Sequence, residues 1–342
     1  MAKTFNRTVA VFGAYGHTGK FVVDALLTRG WTPILSGRNR TKLATLGTSY
    51  PHLEVRPASS EDPRALDAAL AGAVAVINCA GPFLDTASPL IEAALRNRIH
   101  YLDITAEQRS VLNTYEQFAQ EAEEKEIVVL PAMAFYGGLA DLLASAALGD
   151  WSDADAIDIA IALDSWKPTL GTRLTGQRNS DRRLIFSNHS LQFISDPLPT
   201  RRWKFSGSFG EQEVVSFPLT EVITISKHIN VSAINPYINL TPLQDIHDQD
   251  TPPPQPADDS GRSSQLFVME VVVRSGEKVR RATAAGRDIY AITAPLIVEA
   301  ALRITHGLSK KRGVVSPGEA FEAVDFLKSL DPEHLSVDIQ DQ

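Results

Sequence analysis

Val9-Ala10-Val11-Phe12-Gly13-Ala14-Tyr15-Gly16-His17-Thr18-Gly19-Lys20-Phe21-Val22-Val23 decides the architecture. An apolar run stops at Gly13, glycines recur at intervals of three, and Phe21, Val22, Ala25 and Leu26 then fall at helical spacing. The pattern predicts a strand, a tight turn and a helix start. Gly13 would let the chain leave the strand sharply. Gly16 would admit backbone close to a pyrophosphate, and Gly19 would let the helix pack near the strand. The first helical turn would offer N–H groups and a positive dipole end to the anion. Tyr15, His17 and Thr18 lie in the same turn and join the glycines as expected cofactor contacts. A phosphate loop of the form G-x-x-x-x-G-K-[ST] is excluded, because its first position is Ala14 and its last is Phe21.

The end of the next strand, Thr32-Pro33-Ile34-Leu35-Ser36, selects the cofactor. A binder of the unphosphorylated dinucleotide places Asp or Glu there, on the ribose hydroxyls. This chain has Ser36-Gly37-Arg38-Asn39-Arg40 instead. A guanidinium binds a 2′-phosphate through paired hydrogen bonds, whereas a carboxylate repels it. NADP (NADPH) is therefore the expected cofactor, with Arg38 as main contact, Ser36 in support and Arg40 nearby.

Further on, Leu53–Pro57 reads as a third strand, and Asp62-Pro63 caps a helix. Val74–Ala80 is an apolar run suited to a buried parallel strand. It leaves into Gly81-Pro82-Phe83, so Asn78, Ala80, Gly81 and Pro82 are expected beside the nicotinamide ribose, with Phe83 facing substrate. Cys79 reads as a small, inert, buried side chain. Pro89–Arg98 is helical, His100–Thr105 is a strand and its exit, Glu107–Lys125 is helical, and Ile127–Pro131 is another parallel strand. Alternating strands and helices give a doubly wound α/β sheet.

Gly13–Gly19, Gly37-Arg38, Asn78-Cys-Ala-Gly-Pro-Phe83, Tyr101-Leu-Asp-Ile-Thr105 and Gly286-Arg-Asp-Ile-Tyr-Ala-Ile-Thr293 occur in an order that resembles the saccharopine dehydrogenase-like reductases. That family includes saccharopine reductases and trans-acting enoyl reductases. The resemblance implies a Rossmann domain, a mixed α+β second domain inserted before C-terminal helices, hydride chemistry on a nicotinamide cofactor, and a homodimer. It also places a helix from Gly286 to about Arg303 on the Rossmann domain, with Tyr290 near substrate. Where the family has Thr/Ser-Gly-Glu, this chain reads Thr105-Ala106-Glu107.

The expected domains are 1–131 with 286–342, and 132–285, the second carrying a Pro-rich loop at 245–262. Its β-rich runs are Ala156–Leu163, Arg183–Ile194, Glu213–Phe217, Glu221–Ser226, Gln265–Arg274 and Lys278–Ala284, read as mostly antiparallel strands. The loop Gly171–Asn179 could bring Arg173 to a carboxylate or carbonyl, or could be plain solvated surface. Pro317–Leu330 reads as one helix. Tyr136 follows the last parallel strand and is a proton-donor or substrate-contact candidate, equally a packing aromatic. Asp103 could relay a proton through water. Tyr101, Tyr115, Tyr136, Tyr237 and Tyr290 all lack lysine four residues on, so the Tyr-x-x-x-Lys mechanism has no support.

Bulk properties narrow the partners. The 342 residues suffice for two domains, and 44% hydrophobic with 22% charged content is ordinary for a globular protein. A net charge of −8 argues against nucleic acid and anionic membranes. One cysteine suits a reducing cytoplasm, and no signal or spanning segment is visible. Eight scattered histidines suggest no metal site. The sequence thus points to an NADPH-dependent reductase acting on a C=N, C=O or activated C=C bond of a small molecule. A sensor or scaffold that binds NADP without turnover is the alternative.

Overall fold

The computed structural model describes residues 6–178, 181–330, 332 and 334–341. Asn179, the last residue of the expected 171–179 loop, lies outside them, as do residues 1–5. The chain divides into two compact units. The first takes the chain up to Thr105, then Arg109–Ala134 and Thr293–Val315. The second takes Ala106–Gln108, Phe135–Ile292 and the chain from Ser316 onward.

The first unit begins with β1 (Thr8–Phe12), α1 (His17–Thr28), β2 (Thr32–Gly37), α2 (Arg40–Ser49), β3 (Val55–Pro57), α3 (Pro63–Leu70) and β4 (Ala75–Asn78). It continues through α4 (Phe83–Asn97), β5 (His100–Asp103), α5 (Gln108–Glu124) and β6 (Val128–Leu130). Later residues Thr293–Thr305 add a helix, and Gly313–Val314 a short strand beside β6. The seven strands are all parallel, and β6, β5, β4, β1, β2 and β3 lie side by side in that order. This is the doubly wound order, whose switch point falls between β1 and β4.

Local chemistry accounts for these elements. Val9 to Phe12 and Ala75 to Asn78 are buried, as strands covered on both faces must be. Ala10, Ile34, Val76, Tyr101 and Val129 pack with Leu66, Leu70, Leu90 and Ile91 in one core. Each fully buried Leu or Ile contributes roughly 2 kcal/mol. Asn39 caps α2 by accepting from the Lys42 N–H at 2.9 Å, and Asp62 caps α3 with Pro63 in the first turn. The helix α4 starts at Phe83, not at Pro89, which lies inside it. Proline disfavours the helical region for the residue before it, so the sequence suggested a start there. Pro82 at the N-cap and Asp85 in the first turn set the actual start.

The second unit opens with a π-helical turn, Phe135–Leu139, that runs into α6 (Ala140–Leu148). Then come β7 (Ala154–Leu163), α7 (Leu170–Arg178), β8 (Leu184–Ser187), β9 (Ser190–Phe193), β10 (Thr200–Lys204), β11 (Glu211–Ser216) and α8 (Glu221–Ser226). After these follow β12 (Val231–Asn239), α9 (Thr241–His247), β13 (Leu266–Ser275) and β14 (Lys278–Arg287). Two short helices, Pro317–Ala320 and Ala323–Lys328, and a last strand, Leu335–Asp341, complete it. The nine-stranded sheet is mixed: β7 runs parallel to β12 and antiparallel to β13. Trp203 and Phe205 pack over Ala160, Ala162, Val268 and Val272 on it.

Several expectations are corrected here. Residues 171–178 are helical, with no buried residue in α7. The run Glu221–Ser226 is a helix, not a strand, with Glu221 through Ile225 buried. A short buried apolar run has no periodicity that separates the two. The expected strand 183–194 is the hairpin β8–β9. The stretch from Gly286 does not open a helix: β14 runs to Arg287, and the helix begins at Thr293. Residues 316–342 were expected with the Rossmann sheet, yet Leu335–Asp341 pairs antiparallel with β14, Ala282 opposite Ile339. Among the described residues, no helix is long and apolar enough to cross a membrane.

Candidate functional site

The glycine turn leaves the carboxyl end of β1. Gly13 has φ +87°, and its N–H and that of Ala14 donate to the Ser36 carbonyl at 2.8 and 3.1 Å. This ties the exit of β1 to the end of β2. A side chain on Gly19 would drive into the Gly13 carbonyl oxygen and the Ala14 backbone. Helix α1 can approach the turn only because that side chain is missing. Gly16 is the N-cap, and no side chain caps the first turn. A glycine N-cap offers no side-chain acceptor of its own to the first-turn N–H groups, which suits an anion cradle. His17 packs edge-on against Phe21, with ring centroids 5.4 Å apart.

Tyr15 lies against Gly37, and its hydroxyl accepts from the Asn39 N–H at 3.4 Å. Arg38 and Arg40 are exposed beside it, and among the described residues no ion pair or hydrogen bond holds either guanidinium. Two uncommitted cations at the end of β2 fit a 2′-phosphate. Ser36 does not share that position. It is fully buried, and its hydroxyl donates to the Arg56 carbonyl at 2.8 Å, so it braces β2 against β3.

Across the switch point, Asn78 organises the exit of β4. Its side-chain oxygen accepts from the Ala80 N–H at 3.0 Å, and its amide donates to Thr86 Oγ1 and to the Tyr101 hydroxyl, each at 3.2 Å. Thr86 Oγ1 donates in turn to the Ala80 carbonyl at 2.6 Å. The loop through the cis Gly81–Pro82 bond is thus held from inside, and Phe83 opens α4 with 7% exposure. Burial pushes the Cys79 thiol up, with the Asp103 charge adding to it. The raised thiol fits the inert cysteine that the sequence suggests, but Cys79 is half-buried where the sequence suggests full burial.

Asp103 is a fully buried clasp. It accepts from the Tyr101 hydroxyl at 2.9 Å, from the Thr105 N–H at 3.0 Å and from the Ala132 N–H at 2.8 Å. These bonds join the ends of β5 and β6. Thr105 is equally buried. The geometry gives Asp103 a scaffolding role in place of the expected proton relay.

In the second unit, Tyr136 sits on the π-helical turn. Its hydroxyl is buried with no hydrogen-bond partner. Its ring lies 5.6 Å from Trp166, whose indole N–H donates to the Tyr290 hydroxyl at 3.0 Å. The structure therefore brings Tyr136 and Tyr290 together through one tryptophan. Trp166 also meets Phe217 at 6.1 Å, and the Arg183 guanidinium stacks 3.8 Å from the Phe217 centroid. Near them, Thr220 Oγ1 and Glu221 Oε2 are buried and unpartnered, while Glu221 Oε1 accepts from the Leu219 N–H at 2.8 Å. Burial lifts the Glu221 carboxyl to about 7 against the pull of Arg183. Burial raises the Tyr136 hydroxyl too, with Tyr290 and Glu221 adding to it, so it stays protonated at neutral pH. Gln108 fixes the frame, donating to the Leu184 and Leu219 carbonyls and accepting from the Leu184 N–H, all at 2.8 Å.

Arg173 stands apart from this cluster. Its guanidinium donates to the Asp248 and Thr251 carbonyls at 3.1 and 2.9 Å, anchoring the proline-rich segment. Trp166, Arg183, Phe217, Thr220 and Glu221 were missed by sequence reasoning. The available signal was a charge leading each of two apolar runs, Arg183-Leu-Ile-Phe and Glu221-Val-Ile-Thr-Ile.

The parallel sheet, its glycine turn and the free arginines define a dinucleotide-binding domain. Comparison with known proteins sharpens the class. Residues 9–130 match the family model described as the saccharopine dehydrogenase NADP binding domain. This part of the chain is thus similar to the NADP-binding domain of the saccharopine dehydrogenases, as the motifs suggested. The bovine saccharopine dehydrogenase-like oxidoreductase is 28% identical over 152 residues, covering 39% of this chain and 35% of that protein. A lipid droplet localized protein of Caenorhabditis elegans is 28% identical over 146 residues, covering 39% and 34%. The matches therefore span about a third of each curated relative. Apo saccharopine dehydrogenase (L-Glu forming) from Saccharomyces cerevisiae shares the fold, with a TM-score of 0.67 at 11% identity over 98% of this chain and 100% of that one.

Proposed function

We propose that the protein is an NADPH-dependent oxidoreductase that delivers hydride to a C=N, C=O or activated C=C bond of a small molecule, acting as a cytoplasmic homodimer. The observation that carries this is the uncapped first turn of α1 beside two uncommitted guanidinium groups, within an NADP-binding domain. The turn would hold the pyrophosphate, and Arg38 with Arg40 the 2′-phosphate. Asn78 shapes the loop through Pro82 at the switch point, where the nicotinamide half would lie. Once bound, the nicotinamide supplies the hydride. The protein's part is to position the reactants and to supply a proton. Tyr136 suits that second task, being protonated, buried and uncommitted. Its neighbours Trp166 and Tyr290 would contact substrate. The oxidoreductase names of the curated relatives support the same activity.

The test is cofactor preference. Arg38→Asp is expected to weaken NADPH binding at least tenfold, as measured by titration, and to leave NADH affinity within about twofold. An unchanged preference would remove the basis for the NADP assignment. Tight NADPH binding without oxidation against imines, ketones and enones would replace the enzyme with a sensor.

A further inference from the structure

We propose that Lys42 is a further specificity-determining residue for the 2′-phosphate of NADP, and that the Tyr15 ring is the positioning residue that holds its ammonium in place. This rests on the reading of Arg38 and Arg40 as phosphate contacts and adds a third cation to them.

The first ground is the hold on Lys42. Its ammonium lies over the Tyr15 ring, 5.9 Å from the centroid. Among the described residues no hydrogen bond or ion pair engages that ammonium. A ring face attracts a cation without using up its three N–H donors. The ammonium is therefore confined, yet keeps donors for a ligand oxygen. A side chain already confined has less rotamer freedom left to lose when it binds.

The ring is itself fixed. It lies against Gly37, where an added Cβ would fall 2.8 Å from Tyr15 Cε1. Its hydroxyl accepts from the Asn39 N–H at 3.4 Å. Asn39 Oδ1 accepts in turn from the Lys42 N–H at 2.9 Å, capping α2. Ring, helix start and lysine are thus set by one short loop.

The second ground is charge. From Ala25 to Leu53 the sequence holds no Asp or Glu, although the whole chain carries −8. Arg40 and Lys42 stand in the first turn of α2, which contains no acid. The positive end of the helix dipole disfavours cations there, and Arg38, Arg40 and Lys42 repel one another. Such an arrangement weakens the ligand-free fold, and an anion of high charge relieves it. A phosphate monoester carries roughly two negative charges at pH 7. The unphosphorylated dinucleotide offers only ribose hydroxyls at this point. Lys42 therefore discriminates between the two cofactors, and its gain comes from the phosphate alone.

The experiment titrates the full chain calorimetrically with adenosine 2′,5′-bisphosphate and adenosine 5′-monophosphate, and with NADPH and NADH beside them. Lys42→Met is expected to weaken the bisphosphate and NADPH roughly fivefold or more, and the monophosphate and NADH by less than about twofold. Its urea midpoint without ligand should be unchanged or raised, the opposite of what a structural role predicts. Tyr15→Leu should reproduce most of the affinity loss, and Tyr15→Phe, which keeps the ring, should retain wild-type binding. In the Lys42→Met background, Tyr15→Leu should cost the bisphosphate little more, because the two residues act as one. Unchanged bisphosphate affinity in Lys42→Met, or equal losses for both nucleotides, overturns the specificity role. A Tyr15→Leu loss as large without Lys42 as with it overturns the positioning role. Wild-type protein that binds the monophosphate as tightly as the bisphosphate would instead defeat the reading of Arg38 and Arg40 on which the proposal rests.

Discussion

The Tyr101 hydroxyl donates to Asp103 Oδ2 at 2.9 Å while Asp103 Oδ1 collects the Thr105 and Ala132 N–H groups, so the carboxylate is saturated inside the core. Asp103→Asn would set an amide N–H against one of these donors. The variant should lose about 1–3 kcal/mol of stability, the usual cost of leaving buried groups unpaired. Urea unfolding should show a lower midpoint with unchanged slope. A loss of turnover with no loss of stability would return Asp103 to the chemistry.

Tyr136 should behave in the opposite way. Its hydroxyl has no partner to lose, so Tyr136→Phe should leave the unfolding midpoint unchanged or raised. If the hydroxyl supplies the proton, turnover should drop roughly 10²-fold or more with NADPH affinity intact. Equal activity of the two proteins would make Tyr136 a packing aromatic.

Gly19 gives a test of the cradle. A Cβ there meets backbone of Gly13 and Ala14, which cannot swing aside as a side-chain tip could. Gly19→Ala should push α1 off β1, costing about 1–3 kcal/mol of stability. NADPH affinity, read by fluorescence titration, should fall more than tenfold.

The sequence made the first unit legible because its signals are local. The glycine spacing needs only the residues from Val9 to Val23, and the Asp62-Pro63 cap needs two. The second unit resisted because its order comes from pairing partners far apart. Val231–Asn239 gains its strand identity from β7, and Leu335–Asp341 from β14. Strand preference is set by neighbours more than by the residues themselves. The site followed the same division. Arg38 could be singled out from its place after β2, whereas Glu221 and Arg183 come to influence each other only through folding. Ser36 and Arg173 looked like ligand contacts by residue type, and both are bound to backbone carbonyls.

Cys79 offers a chemical check on the first unit. Burial and the nearby Asp103 charge both disfavour its thiolate. Reaction with a disulfide reagent at pH 8 should run at least 10²-fold slower than for free cysteine, and recover in urea. Fast labelling of the folded protein would mean that the thiolate forms there as readily as in free cysteine.

Glu221 should write its burial into the pH dependence of folding. Its carboxyl is raised from 4.5 to about 7 in the folded chain. Between those values the folded state keeps a proton that the unfolded state has released. Stability from this group is therefore full below pH 4.5 and is lost as pH rises toward 7, by about 3 kcal/mol in all. His100 acts in the other direction, since burial and Arg312 lower it to about 4, so the wild-type curve alone would blur the two. The difference between wild type and Glu221→Gln isolates the acid, because His100 is common to both. Urea unfolding at pH 5, 6, 7 and 8 should show the variant gaining on the wild type at each step up to pH 7 and then holding level. A constant difference would mean that Arg183 compensates the carboxylate fully.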